Sequence, residues 1–151
     1  MYTPYRGAPS IIVLAALFGV DRITKWIALS HFNDGSVFIP GILEFSLSWN
    51  PAILFFFSFS QWWQERLFFI LLLFFLGWFL STVFDSTRLR RGQLLLFQGL
   101  IAIGALSNTF DRFSYGAVID WVHIISLTSF NLADAYVLTG IFGSAWITMR
   151  K

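Results

Sequence analysis

The sequence predicts an all-α membrane protein: four transmembrane helices carrying a small β-rich cradle on the extracytoplasmic side. Three observations point there. Of the 151 residues, 57% are hydrophobic and only 12% are charged. Four apolar stretches, at 9–31, 67–84, 94–110 and 131–149, reach or approach the about 20 residues that a helix needs to cross a bilayer. Between the first two lies Leu43–Trp49, whose apolar and polar residues alternate with the period of a strand. The expectation is one polytopic membrane domain spanning residues 1–151.

The first stretch follows Arg6 and is apolar from Ile11 to Val20. A cleaved signal peptide has a similar outline. Here no small-x-small cleavage site leads into a hydrophilic mature chain, so the segment is expected to be retained. It ends in Asp21-Arg22-Ile23-Thr24-Lys25. Asp21 and Lys25 are four apart and share one helix face. They form either a self-compensating ion pair or a polar face turned into the bundle. The first outer connection, about 32–61, holds the Leu43–Trp49 strand and then Asn50-Pro51, where a turn is the ordinary reading. The second stretch, 67–84, is almost uniformly Leu and Phe. A short basic connection joins it to the third, which closes on Asn108, Asp111 and Arg112. Ala117–Ile124 is a second strand candidate, and the fourth stretch opens on Asn131 and Asp134. Gly140 and Ser144 have the spacing of a helix-packing motif.

Charge sets the orientation. Six of the ten basic residues (Arg6, Arg88, Arg90, Arg91, Arg150 and Lys151) fall at the termini or in the connection between the second and third stretches. With four spans these places share one side, and the positive-inside rule makes it the cytoplasm. Both termini are then cytoplasmic. Seven of the eight acids fall toward the opposite face, Asp85 being the exception. Trp26, Trp49, Trp62, Trp63 and Trp121 would lie near that outer interface. The chain has no cysteine, which removes disulfides, thiolate catalysis and thiolate metal sites. Metal ligation would want His or Cys at ligand spacing, so neither a metal nor another cofactor is expected. A net charge of +2 gives no reason to expect nucleic acid; membrane lipids are the expected surroundings.

The acids of the outer end carry the chemistry. A carboxylate beside a membrane span is costly and is read first as functional. Each also has a structural reading. Asp111 can pair with Arg112 at a helix end, and Asn131 with Asp134 can cap the fourth helix. Asp120 sits in an apolar strand and has no capping role. Two aspartates brought close cannot easily both ionise, so they share a proton and can activate water while protonating a leaving group. No serine in a nucleophile-elbow context competes with them.

Five blocks, in order along nearly the whole chain, resemble the lipoprotein signal peptidase (signal peptidase II) family. They are Asp21-x-x-Thr24-Lys25, the Asn50–Phe55 block, Asn108-x-x-Asp111-Arg112, Gly116-x-Val118-x-Asp120-Trp121 and Phe130-Asn131-x-Ala133-Asp134. Ser107 stands where the family has glycine, and Ala52, Ile53 and Leu54 are bulkier than the family's residues there. The resemblance implies a membrane aspartyl endopeptidase of the bacterial inner membrane, with its active site on the extracytoplasmic face. It makes Asp120 and Asp134 the catalytic pair. Asp21, Lys25, Asn50, Asn108, Asp111, Arg112 and Asn131 become supporting or substrate-binding residues. The implied substrate is a diacylglyceryl-modified prolipoprotein, cleaved just before its lipidated cysteine. Two other classes compete. A small transporter or channel subunit would need polar residues through the middle of its spans, and 67–84 and 141–147 offer almost none. A non-catalytic membrane scaffold would use the aspartates as caps and ion pairs only.

Overall fold

The computed structural model describes residues 8–32, 35–51, 92–124 and 128–149, together with the isolated positions 70, 74, 77 and 81. Three long helices are continuous among them: α1 (Ala8–His31), α2 (Gly92–Tyr115) and α3 (Leu132–Met149). They fall on the first, third and fourth predicted stretches. The four isolated positions are helical and lie within the second, 67–84. The rest of that stretch, Trp62, Trp63 and residues 52–55 of the Asn50 block lie outside the described residues. Gln93–Tyr115 and Leu132–Met149 are each long and apolar enough to cross a membrane. α1 has the length as well but carries Asp21, Arg22 and Lys25 in its second half.

α1 and α2 are apolar on their exposed faces and carry polar side chains inside. On α1, Asp21, Lys25 and Ala28 are buried while Ile23, Trp26 and Ile27 are exposed. The buried set follows the i, i+4, i+7 spacing of one helix face. On α2, Gln98, Ser107, Asn108 and Asp111 are buried while Leu106, Phe110 and Phe113 face out. An aqueous solvent would drive the reverse arrangement; hydrocarbon around the bundle accounts for it. Close approach between helices rests on glycine. A Cβ on Gly104 would come within 2.4 Å of the Ala133 carbonyl oxygen, and one on Gly140 within 2.5 Å of the Phe97 carbonyl oxygen. Gly140 therefore serves the packing role that its spacing suggested, bringing the α2 and α3 backbones together.

The all-α expectation needs correction. A four-stranded antiparallel sheet caps one end of the bundle, in the order β1 (Ser36–Ile39), β2 (Leu43–Asn50), β3 (Val118–Ile124), β4 (Thr128–Phe130). β2 and β3 are the two strands read from the sequence, and they pair directly, Trp49 opposite Ile119 and Ser48 opposite Asp120. β1 and β4 are added outside them. The β1–β2 turn is Ile39-Pro40-Gly41-Ile42, closed by the Ile42 amide donating to the Ile39 carbonyl at 3.0 Å. Proline presets its second position, and Gly41 takes the positive φ of 75° that its third position demands. Phe32, Phe38, Phe45 and Trp121 form a chain of aromatic contacts across the sheet, with centroids 5.5–6.3 Å apart. Trp26 and Trp49 are largely exposed, whereas Trp121 is half-buried in that cluster.

Candidate active site

The site forms where the sheet meets the bundle, because three element ends converge there. α2 stops at Tyr115, and Gly116 follows with φ 79°, its amide donating to the Arg112 carbonyl at 3.0 Å. That left-handed residue is a common helix stop, and here it turns the chain straight into β3. Asp120 lies on β3 and is fully buried. β4 then returns the chain to Asn131, which opens α3. Asn131 is the N-cap: its Oδ1 accepts from the Asp134 amide at 3.1 Å, and its own amide donates to Asp134 Oδ2 at 3.2 Å. This reciprocal pair is a capping box with an aspartate in place of the usual glutamate. The capping reading of Asn131 and Asp134 is thus correct.

The same asparagine does more. Its Nδ2 donates to Asp120 Oδ1 at 2.7 Å, and also reaches the Ile119 carbonyl and Asn108 Oδ1, both at 3.3 Å. Asn131 therefore touches both carboxylates of the predicted pair. Asp120 Oδ2 accepts from Asn50 Nδ2 at 2.7 Å and from the Ser129 hydroxyl at 3.3 Å. Asp134 Oδ1 accepts from Asn108 Nδ2 at 2.8 Å. Asn108 can only present its amide nitrogen to Asp134, because its carbonyl oxygen is held by Lys25 Nζ at 2.7 Å. Burial pushes the Asp120 carboxyl above the ordinary aspartate range, and the donors Asn50, Asn131 and Ser129 with the Lys25 charge oppose that rise.

Below the pair lies a second polar cluster that balances its own charge. Asp111 receives Lys25 Nζ on Oδ2 and Arg22 Nη1 on Oδ1, both at 2.6 Å, and Lys25 also lies 3.4 Å from Asp21. Two buried acids and buried Lys25 are thus joined by half-buried Arg22, an arrangement that makes buried charge tolerable. Asp111 bonds across to α1, and its Oδ2 also accepts from the Ile119 amide of β3 at 3.3 Å. Neighbouring positions on a helix point about 100° apart. Asp111 faces α1, while Arg112 donates to the Asn108 carbonyl of its own helix at 3.3 Å and feels the charges of Asp134, Asp120 and Asp111. Asp21 and Lys25 are both an ion pair and the inward polar face: Asp21 Oδ1 accepts from the Ala133 amide at 2.9 Å. Asn50 is no mere turn residue, since it holds Asp120.

Sequence reasoning passed over two participants. Ser129 lies on a three-residue strand with no pattern to mark it. Arg22 was given no role of its own within Asp21-Arg22-Ile23-Thr24-Lys25, and its place one residue after Asp21 does not mark it, since neighbouring helix positions point about 100° apart. No group of three or more His, Cys, Asp or Glu side chains with metal-binding geometry occurs among the described residues.

Helices α1 and α2, apolar without and polar within, and a buried and a half-buried aspartate joined by one asparagine define a membrane-embedded site built for carboxylate chemistry. The family model described as signal peptidase (SPase) II matches residues 13–150, and this chain belongs to the signal peptidase II family. A lipoprotein signal peptidase of Chromobacterium violaceum is 35% identical over 154 residues, 97% of this chain and 94% of its own. Another, from Tropheryma whipplei (strain Twist), is 30% identical over 133 residues, 83% of each chain. A solved structure described as a bacterial membrane enzyme aligns with a TM-score of 0.82 at 22% identity, over 99% of this chain and 93% of its own; that likeness shows the fold.

Proposed function

We propose that this chain is a membrane aspartyl endopeptidase that removes the signal peptide from diacylglyceryl-modified prolipoproteins. The observation that carries the reading is Asn131, which donates to Asp120 through its side chain and to Asp134 through its backbone. One carboxylate of such a pair is ionised and takes a proton from water. The other is protonated and gives its proton to the leaving amine as the tetrahedral intermediate collapses. Asn131 and Asn50 donate to the two oxygens of Asp120, and Asn108 and the Asn131 amide to those of Asp134, so each carboxylate is held in a fixed orientation. Arg112, whose charge lies close to both aspartates, limits the cost of a negative charge in a dry site. The family relatives are named for lipoproteins, and this chain's relation to them supports the substrate class.

The helices α1, α2 and α3 all bring one end to the sheet, and the basic termini lie in sequence beyond their other ends. This supports four spans with both termini in the bacterial cytoplasm and the site at the outer interface. A substrate would then reach the pair from within the bilayer. An acyl chain contributes about 0.8 kcal/mol per buried CH₂, so a diacylglyceryl group can dominate recognition where polar contacts are few. The test compares cleavage of a lipidated prolipoprotein with the same polypeptide carrying an unmodified cysteine, using the purified protein in detergent. A strong preference for the lipidated form is expected. Equal efficiency on both would exclude lipid recognition and leave a general intramembrane protease.

A further inference from the structure

We propose that Ser107 is a positioning residue for Asp134, acting through Asp21; the inference rests on Asp134 being one of the catalytic pair. Ser107 lies on α2 and is buried, with 1% of its surface exposed. Its hydroxyl sits between Arg22 Nη1, 2.9 Å away, and Asp21 Oδ2. A guanidinium can only donate and a carboxylate can only accept. The hydroxyl therefore takes a hydrogen bond from Arg22 and gives its own proton to Asp21. This polarity is fixed by chemistry and cannot be reversed.

The consequence appears at the other oxygen of Asp21. Oδ1 accepts the amide of Ala133 at 2.9 Å. Ala133 is the second residue of α3, and its amide is one of the donors that a helix start leaves without an internal partner. Asn131 satisfies the next amide, that of Asp134. The first turn of α3 is thus held by two groups: its own cap, and a carboxylate reaching across from α1. That carboxylate also suits the positive end of the α3 dipole. Asp134 is the residue directly after Ala133, so the line Arg22–Ser107–Asp21–Ala133 ends on the candidate catalytic carboxylate.

Without the hydroxyl, Asp21 Oδ2 keeps Lys25 at 3.4 Å, while Arg22 Nη1 keeps Asp111 Oδ1 at 2.6 Å and the Ser107 carbonyl at 3.3 Å. The carboxylate then turns toward Lys25 and away from Ala133. The α3 turn relaxes, and Asp134 moves relative to Asn108 Nδ2, which it meets at 2.8 Å. Ser107 is buried and offers no surface to a substrate, so binding should be unchanged while the reacting geometry is disturbed.

The experiment measures Ser107→Ala, Ser107→Thr and Asp134→Asn beside the wild type on a lipidated prolipoprotein in detergent. It follows kcat and KM, and the Ala133 amide by NMR. Ser107→Ala is expected to lower kcat on the order of tenfold, as a small displacement of a catalytic group does. KM should stay within about twofold, because the substrate contacts are unchanged. The Ala133 amide resonance should shift as its acceptor moves, and Ser107→Thr, which keeps the hydroxyl, should recover most of the rate. A wild-type kcat in Ser107→Ala, a loss explained by a smaller folded fraction, an unmoved Ala133 resonance, or no recovery in Ser107→Thr would each overturn the proposal. Asp134→Asn separates the two readings. Turnover by that variant removes the catalytic pair itself, whereas a dead Asp134→Asn beside a fully active Ser107→Ala removes only the role of Ser107.

Discussion

Replacing Asn131 separates two roles that one side chain combines. As the α3 cap it accepts from the Asp134 amide at 3.1 Å; as a site residue it donates to Asp120 at 2.7 Å. Serine caps a helix about as well as asparagine, but its shorter side chain falls short of Asp120. Asn131→Ser should keep the cap and lose the second contact, and Asn131→Ala should lose both. A cap deleted to alanine costs about 1 kcal/mol, which is the expected stability difference between the two variants. A hydrogen bond to a charged group contributes about 1.5–3 kcal/mol. If that bond is needed to reach the transition state, its loss lowers turnover roughly 10- to 150-fold. Both variants should therefore be impaired to a similar degree, while only alanine suffers the larger fall in thermal stability. Cleavage of a lipidated substrate in detergent, with unfolding followed on the same preparations, gives both numbers. Wild-type turnover by Asn131→Ser would refute the reasoning, because the contact with Asp120 would then be dispensable.

Three further outcomes follow from the same geometry. Asp111→Asn leaves Arg22 and Lys25 with one buried acid, so a loss of about 3–5 kcal/mol is expected, with turnover still measurable in the folded fraction; unchanged thermal stability, or a stable fold without turnover, would contradict this. Burial already raises the Asp120 carboxyl and Asn50 opposes the rise, so Asn50→Ala should raise it further; the carboxyl then ionises at higher pH, and the acid limb of kcat/KM moves upward, whereas a limb that stays or moves downward would contradict the role of Asn50. Gly104→Ala sets a methyl within 2.4 Å of the Ala133 carbonyl oxygen and should cost about 1–3 kcal/mol by overpacking, read as a lower melting temperature.

Much of this architecture was legible because the bilayer makes blunt demands. Stretches near twenty residues set α1, α2 and α3 to within a few residues. The period-two run at Leu43–Trp49 marked β2, and Asp120 stood out as an acid without a cap. Asn131 and Asp134 read correctly as a cap, yet that reading concealed half of their geometry: the cap residue turns its remaining donor on Asp120, which is 11 positions away in sequence and adjacent only through the β3–β4 return. The outer strands were missed for a simple reason. β1 and β4 are four and three residues long, too short for a periodic signal, and the Pro40-Gly41 turn signal between β1 and β2 went unread. Reading Asp111 only with its sequence neighbour Arg112 left its contacts on α1 unforeseen. On a helix such neighbours diverge, and Asp111 found its partners 86 and 89 residues away on α1.

The central claim is that Asp120 and Asp134 together activate water. Its most direct test is the turnover of Asp120→Asn and Asp134→Asn, each purified as a folded membrane protein and assayed on a lipidated prolipoprotein at single turnover. Each substitution is nearly isosteric and removes only the ability to exchange a proton. The account predicts that cleavage is abolished in both, with thermal stability near that of the wild type. A folded variant at either position that loses only severalfold in rate would contradict it.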